Sequence, residues 1–115
     1  MIKLTILGNP ISVNHYLGNY AIGKRVIRFK TKEAKKYQKL CKTLYKGKIL
    51  LGPLKISMHF YFNNHIRRDL DNFMKVPEDG LIGTVYKDDS QIDEIHGYRH
   101  IDKKNPRVEI EIEEI

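Results

Sequence analysis

Strict alternation of apolar and polar residues predicts several β-strands that each bury one face. The clearest runs from Leu54 to Phe62, where every second residue is apolar. This period of two is the pattern of a half-buried strand, because successive side chains point to opposite faces. The predicted strands cover residues 2–6, 54–63, 92–101 and 108–112, with a hairpin over 20–29 that turns at Gly23-Lys24.

Apolar residues at spacings of three and four predict two helices. The first follows a threonine cap and covers residues 32 to about 46. The second follows Asp71, and we expect it to kink or restart at Pro77 and to break at Gly80 or Gly83. The outer face of the first helix is basic, which is typical both of a solvated face and of a face that contacts DNA. Its lysines are Lys32, Lys35, Lys36, Lys39, Lys42 and Lys46.

This order of elements predicts an α/β (α+β) fold: a mixed β-sheet with two helices packed on one face. The 115 residues, 41% hydrophobic and 30% charged, fit a single globular domain over residues 1–115. Cys41 is the only cysteine, which excludes an intrachain disulfide and a cysteine-rich zinc cage. No apolar run or leader pattern indicates a membrane, so we expect a cytoplasmic protein.

The net charge of +7 is distributed unevenly along the chain. Residues 1–53 contain 12 Lys and Arg against one acid, whereas residues 54–115 contain 9 against 13. A lysine by itself can serve only solubility. An excess of eleven positive charges in one half favours a partner with a phosphate backbone.

Two pairs of aspartates provide the candidate chemistry. Asp69 and Asp71 follow the clearest strand, and an extended backbone would place both on one face. Asp88 and Asp89 precede the next strand, so we expect carboxylates to converge from two strand ends and to bind Mg²⁺. Lys75, four residues after Asp71, would project from the same side of its helix toward this site.

Each aspartate alone has an ordinary structural explanation, as a helix cap or a turn residue. Two pairs in a basic protein, one of them flanked by Arg67, Arg68 and Lys75, favour a metal site that meets phosphates. Histidines offer a competing set of bases or ligands, which we expect instead on the surface or in contact with DNA. They are His59, His65, His96 and His100.

The same residues resemble the RusA family of Holliday junction resolvases. The resemblance rests on Arg67-Arg68-Asp69-Leu70-Asp71-Asn72, Lys75, Asp79, Leu81, the run Tyr86-Lys87-Asp88-Asp89-Ser90-Gln91-Ile92 and the early stretch Pro10-Ile11-Ser12-Val13-Asn14-His15-Tyr16. These segments extend over most of the chain. The segment from Leu17 to Lys30 departs most from the family pattern.

The resemblance implies a homodimeric crossover junction endodeoxyribonuclease that acts in recombination and repair. It would cut four-way DNA junctions by paired symmetric nicks with Mg²⁺, or with Mn²⁺ in its place, and without a nucleotide cofactor. Asp69, Asp71 and Asp89 would be the catalytic metal ligands, with Asp88 in support and Lys75 as a catalytic or phosphate-binding cation, whereas we interpret Asp79 as structural. The residues expected to contact DNA are Arg67, Arg68, Lys75, Asn14, Lys24, Arg25, Arg28 and Lys30.

Two other hypotheses remain open at this point. The first is a structure-selective DNA-binding protein without catalysis, which the basic half would also suit. The second is a metal-dependent nuclease that acts on other branched DNA.

Overall fold

The computed structural model describes residues 1–13, 17–22 and 25–115, and within 17–22 and 25–30 it describes the backbone alone. Predicted residues Asn14 and Lys24, and the turn expected at Gly23-Lys24, lie outside the described residues. The described elements are β1 (Ile2–Leu7), β2 (Leu17–Ile22), β3 (Arg25–Lys30), α1 (Lys32–Thr43), β4 (Leu54–Phe62), α2 (Asp71–Gly80), a 3₁₀ helix (Asp89–Gln91), β5 (Ile92–Ile101) and β6 (Arg107–Glu114).

The main sheet has four strands in the order β1-β6-β4-β5. β4 pairs in parallel with β5, and its other edge pairs antiparallel with β6, which in turn pairs antiparallel with β1. β2 and β3 form a separate antiparallel pair, as the expected hairpin requires. The prediction of a mixed sheet in one α+β domain is therefore confirmed.

The hydrophobic core lies between one face of this sheet and the two helices. In β4 the alternation is complete, since every second side chain from Leu54 to Phe62 is buried. α1 contributes Ala34, Tyr37 and Cys41, at the spacing of one helical stripe. Phe73 and Val76 of α2 enter the same core. The prediction that two helices pack on one face of the sheet is therefore confirmed.

α1 ends before its predicted bound, whereas α2 ends at Gly80, one of the two glycines where a break was expected. α1 ends at Thr43 rather than near residue 46, because the Thr43 hydroxyl donates to the Leu40 carbonyl at 2.7 Å and the Leu44 N–H turns to Cys41. A side chain that competes for a helical carbonyl favours an end to the helix. α2 is continuous across Pro77 to Gly80, so the expected restart at Pro77 does not occur, and Pro77 is buried within the helix.

The contact between α1 and α2 depends on Gly80. A Cβ built at Gly80 would lie 2.8 Å from the Sγ of buried Cys41, closer than such atoms approach in proteins. The absence of a side chain therefore lets the end of α2 lie directly against α1.

Among the described residues, no helix has the length and apolar character needed to cross a membrane.

We predict that Gly80→Ala lowers the free energy of unfolding by about 1–3 kcal/mol, because the added methyl group overpacks a closed core. Chemical denaturation measures this change. In a Cys41→Ala background the clash with Sγ is absent, and the penalty should fall by at least about 1 kcal/mol. An equal penalty in both backgrounds would show that the Gly80–Cys41 contact is not its cause.

Candidate active site

The connection from β4 to α2 is fixed by Arg68. Its guanidinium lies 4.6 Å from the centroid of the Phe62 ring, and it donates to the Asn64 side chain at 2.6 Å and to the Ile66 carbonyl at 2.8 Å. Arg68 is thus engaged within the protein, whereas Arg67 is exposed. Of the two arginines expected to contact DNA, Arg67 is the better placed.

Asp69 and Asp71 are both exposed at the start of α2. The expectation that an extended backbone places them on one face is wrong. Leu70 between them has helical dihedrals (φ −59°, ψ −37°), and the Asp69 carbonyl already accepts from the Asn72 N–H at 3.1 Å. When the residue between two side chains is helical, the two side chains point in different directions. Asp71 is therefore the first residue of α2, and Asp69 lies in the segment that leads into it.

Lys75 is the centre of the charged cluster on α2. Its Nζ lies 3.0 Å from Oδ2 of Asp89, 3.4 Å from Oδ1 of Asp79 and 4.0 Å from Oε1 of Glu78. The hydrogen bond to Asp89 raises the pKa of Lys75, partial desolvation opposes this shift, and Asp79 and Glu78 add smaller upward contributions. The ammonium therefore stays charged at neutral pH.

Asp71, Lys75 and Asp79 follow each other at intervals of four residues on α2. Residues at this spacing lie on one face of a helix, about 5–6 Å apart between Cβ atoms. The prediction that Lys75 projects toward the aspartate site is confirmed by its contact with Asp89. Asp71 thus lies one turn before the lysine that binds Asp89.

The parallel pairing of β4 with β5 brings Asp89 to the face of α2 that carries Lys75. The sequence did not indicate this pairing. Because β4 and β5 are parallel, with Leu54 opposite Ile92, Asp89 lies near the beginning of β4, whereas the chain leaves β4 at its other end, nine residues before Asp71. The two strand ends are roughly 26 Å apart at 3.3 Å per residue. The strand ends by themselves therefore do not bring the carboxylates together. Instead, α2 runs back over the sheet and its Lys75 meets Asp89.

Gly97 lets α2 lie close to β5. A Cβ on Gly97 would lie 2.7 Å from Sδ of Met74 and 3.1 Å from Cδ2 of Leu70. Both of these α2-side residues pack on the hydrophobic core. This close packing fixes the helix face that carries Asp71 and Lys75 relative to the strand that follows Asp89.

A capping box holds the turn that presents Asp89. The Asp88 side chain accepts from the Ser90 hydroxyl at 2.5 Å and from the Ser90 N–H at 3.4 Å, while the Gln91 side chain accepts from the Asp88 N–H at 2.9 Å. The hydrogen bond from Ser90 lowers the pKa of Asp88. The Gln91 amide also donates to the carbonyls of Leu50 and Gly52, which ties the turn to the start of β4.

These contacts separate the roles of the neighbouring aspartates. The Asp88 carboxylate shapes the backbone of the turn, whereas the Asp89 carboxylate faces Lys75. Gln91 therefore positions Asp89, a role that the site prediction missed. The spacing Asp88-x-x-Gln91 is a capping-box pattern and could have revealed it.

Glu78 is a second residue that the site prediction missed. Its carboxylate is mostly buried, with the side chain 18% exposed, and burial raises its pKa while Lys75 lowers it. The buried Tyr86 hydroxyl donates to the Glu78 carbonyl at 2.5 Å and holds this turn of α2. Burial also raises the pKa of Tyr86. Periodicity places Glu78 three residues after Lys75, but an acid at this position is also common on any helix surface.

The carboxylates of the aspartates near Lys75 are the type of ligand that a hard cation such as Mg²⁺ binds. Asp69 and Asp71 are exposed, Asp89 is partly exposed, and all three offer oxygen ligands. Within the described residues, no group of three or more His, Cys, Asp or Glu side chains is arranged to hold a metal ion. Mg²⁺ often uses only one or two protein carboxylates and completes its shell with water and phosphate. The residues that would hold such an ion are Asp69, Asp71 and Asp89, whose carboxylate chemistry fits Mg²⁺.

His59 and His100 lie away from this cluster. His59 alternates with the buried Phe60 in β4 and so faces away from the helices. Nδ1 of His59 and Nε2 of His100 are 2.9 Å apart, and their rings stack with Tyr98 and Tyr61. These two histidines bind each other on the opposite face of the sheet from α2.

The basic residues predicted in the hairpin lie on a separate sheet. Arg25, Arg28 and Lys30 belong to β3, which pairs with β2 and with no strand of the four-stranded sheet. Their side chains lie outside the described part of the chain. Their role in DNA contact remains a prediction.

Comparison with known proteins gives two matches. The family model described as Endodeoxyribonuclease RusA matches residues 8–113. The chain is also 27% identical over 138 residues to "Uncharacterized protein YqaN" of Bacillus subtilis (strain 168), covering 99% of this chain and 96% of that protein. The matched range contains Lys75 and the two aspartate pairs Asp69/Asp71 and Asp88/Asp89.

Proposed function

Since the chain belongs to the RusA endodeoxyribonuclease family, we propose that it resolves Holliday junctions, as a divalent-metal-dependent endonuclease that places paired symmetric nicks in four-way DNA. The proposal assigns it to DNA recombination and repair. Its partner is branched DNA.

The observation that carries this proposal is the contact between Lys75 and Asp89. It joins a cation on α2 to a carboxylate on the 3₁₀ turn at 3.0 Å, with Asp71 one helical turn away. Both side chains are partly exposed, at 50% and 34%, so a substrate can reach them. A lysine beside exposed carboxylates supplies what phosphodiester hydrolysis needs: ligands for a metal and a cation for the phosphate.

We assign the metal ligands to Asp69, Asp71 and Asp89. When bound, Mg²⁺ would activate a water molecule and stabilise the departing 3′ oxygen. Asp88 supports the site by holding the turn in which Asp89 lies. Mn²⁺ would substitute for Mg²⁺, since both accept oxygen ligands.

Lys75 would bind the phosphate that is cut. Its ammonium would offset the negative charge that develops on the phosphoryl oxygens in the transition state. Asp79 and Glu78 hold the Lys75 side chain on the other side, at 3.4 Å and 4.0 Å. These contacts would keep Lys75 within the site when Asp89 binds a metal ion.

We further propose that the active form is a homodimer. A four-way junction has near two-fold symmetry and needs two cuts, whereas each chain has one such cluster among its described residues. A C₂ dimer would present two equivalent sites to the junction.

The alternative of a DNA-binding protein without catalysis is less favoured by the charges of the cluster. The exposed Asp71 and the partly exposed Asp89 would repel DNA phosphates, and binding alone gains nothing from them. Without a metal ion to engage Asp89, Lys75 would stay paired with that carboxylate and would be a poor phosphate contact. A metal-dependent nuclease would use the carboxylates to bind the metal ion and Lys75 to bind the phosphate.

The substrate is tested by competition. A labelled four-way junction is offered with Mg²⁺ in the presence of excess unlabelled junction, 5′ flap or linear duplex. We expect only the junction to compete efficiently, by at least about tenfold over duplex. Cleavage with equal competition by flap DNA would assign the nuclease to other branched substrates, and cleavage independent of a divalent metal would contradict the proposed chemistry.

A further inference from the structure

A groove runs between α1 and the end of α2. Its first part has a volume of about 410 Å³ and is lined by Gln38, Lys42, Asp79, Gly80 and Ile82. A second part of about 520 Å³ shares Lys42 and Ile82 with the first and continues past the end of α1. The two parts therefore adjoin at Lys42 and Ile82 and are both open to the surface.

One end of this groove reaches the candidate active site. Asp79 lines the groove, and its carboxylate lies 3.4 Å from Nζ of Lys75, the residue that binds Asp89. Lys75 thus offsets part of the negative charge of Asp79. A chain lying in the groove would lead from Lys42 to the position where we place the phosphate that is cut.

The lysines of α1 are not equivalent around the helix. The buried stripe is Ala34, Tyr37 and Cys41. Lys42 and Gln38, four residues apart, lie on the flank that lines the groove. Lys36 lies on the other flank, beside a separate apolar pocket formed in part by Ile11 and Leu40.

The occupant is indicated by charge and shape. Lys42 lines both parts of the groove, and Asp79, the acid in the first part, is paired with Lys75. The groove is open along its length, which suits an extended strand. A small molecule usually binds in a pocket that encloses it on most sides. A DNA strand supplies a regular row of negative charges that a lysine at the groove can bind.

We propose that this groove holds the phosphodiester backbone of the DNA strand that leads to the scissile phosphate, with Lys42 as a phosphate contact. This proposal rests on the proposed function. It decides between the two explanations of the basic face of α1: the Lys42 flank contacts DNA, and the Lys36 flank is solvated.

Two charge reversals on one helix test the proposal. Lys42→Glu and Lys36→Glu both replace an exposed lysine of α1 and change the net charge by the same amount. Binding of a fluorescein-labelled four-way junction is measured by anisotropy in EDTA, over a series of salt concentrations. Thermal unfolding of both variants verifies that each is folded, and Lys42→Gln is used in place of Lys42→Glu if the latter is not.

We expect Lys42→Glu to weaken junction binding at least about tenfold and to reduce the slope of log K against log salt by about one. Lys36→Glu should weaken binding less than about threefold. Equal losses in both variants would overturn the groove and leave only the general charge of α1. Failure of the wild-type protein to bind any DNA would contradict the proposed function itself, whereas normal binding by Lys42→Glu would contradict the groove alone.

Discussion

Replacement of Asp89 by asparagine is expected to abolish most junction cleavage while the protein stays folded and binds DNA. The carboxylate lies on a turn fixed by the Asp88 capping box and faces Lys75 at 3.0 Å. Loss of a partner that only supports a metal ligand typically costs 10–100-fold, so loss of a ligand itself should cost more than about 100-fold. The measurement is the single-turnover rate of cleavage of a labelled junction with saturating Mg²⁺.

The neighbouring Asp88 provides the matched control. Asparagine caps helix starts about as well as aspartate, so Asp88→Asn should preserve the turn and lower the cleavage rate by less than about tenfold. The two substitutions make the same chemical change at adjacent residues. An equal loss in both would contradict the division of roles between the two carboxylates, and a folded Asp89→Asn variant with the wild-type rate would remove Asp89 from the site.

Lys75→Ala is expected to reduce the rate of cleavage by about 10²–10³-fold, the usual cost of a lost electrostatic contact to the transition state. The side chain is half exposed, so the fold should be unchanged. With saturating DNA the loss should appear in the rate of cutting and much less in junction affinity. Rapid-quench assays of cleavage and anisotropy measurements of binding separate these two quantities.

Lys55→Ala serves as the control for Lys75→Ala. Lys55 alternates with the buried residues of β4 and so lies on the face of the sheet opposite to α2. Its removal changes the net charge equally and should leave the cleavage rate within about threefold of wild type. Comparable losses in both variants would mean that Lys75 acts only through the overall charge of the protein.

The strands and their buried faces could be read from the sequence because alternation reports directly on burial. β4 was predicted nearly to the residue, and its apolar positions are all in the core. The pairing of β4 with β5 in parallel could not be predicted. A period of two is the same in parallel and antiparallel strands, so it does not show where the return through α2 places residues such as Asp89.

The sequence predicted only part of the site, because spacing within one helix can be read from a sequence and tertiary packing cannot. Helical spacing from Asp71 correctly indicated the direction of Lys75, because residues four apart share a face. The relation of Asp69 to Asp71 was wrong, since helical geometry begins at Leu70 and not after Asp71. Glu78 gained its place through tertiary burial, which a sequence pattern does not report.

The central claim is that this chain cuts four-way junctions symmetrically with a divalent metal, and one assay tests it most directly. A junction with a mobile homologous core is end-labelled on each strand in turn and incubated with the wild-type protein in Mg²⁺ or in EDTA. We expect nicks at matching positions in two opposing strands with Mg²⁺, giving products that can be religated, and none in EDTA. A folded protein that binds the junction but leaves all four strands intact with Mg²⁺ and with Mn²⁺ would contradict the claim.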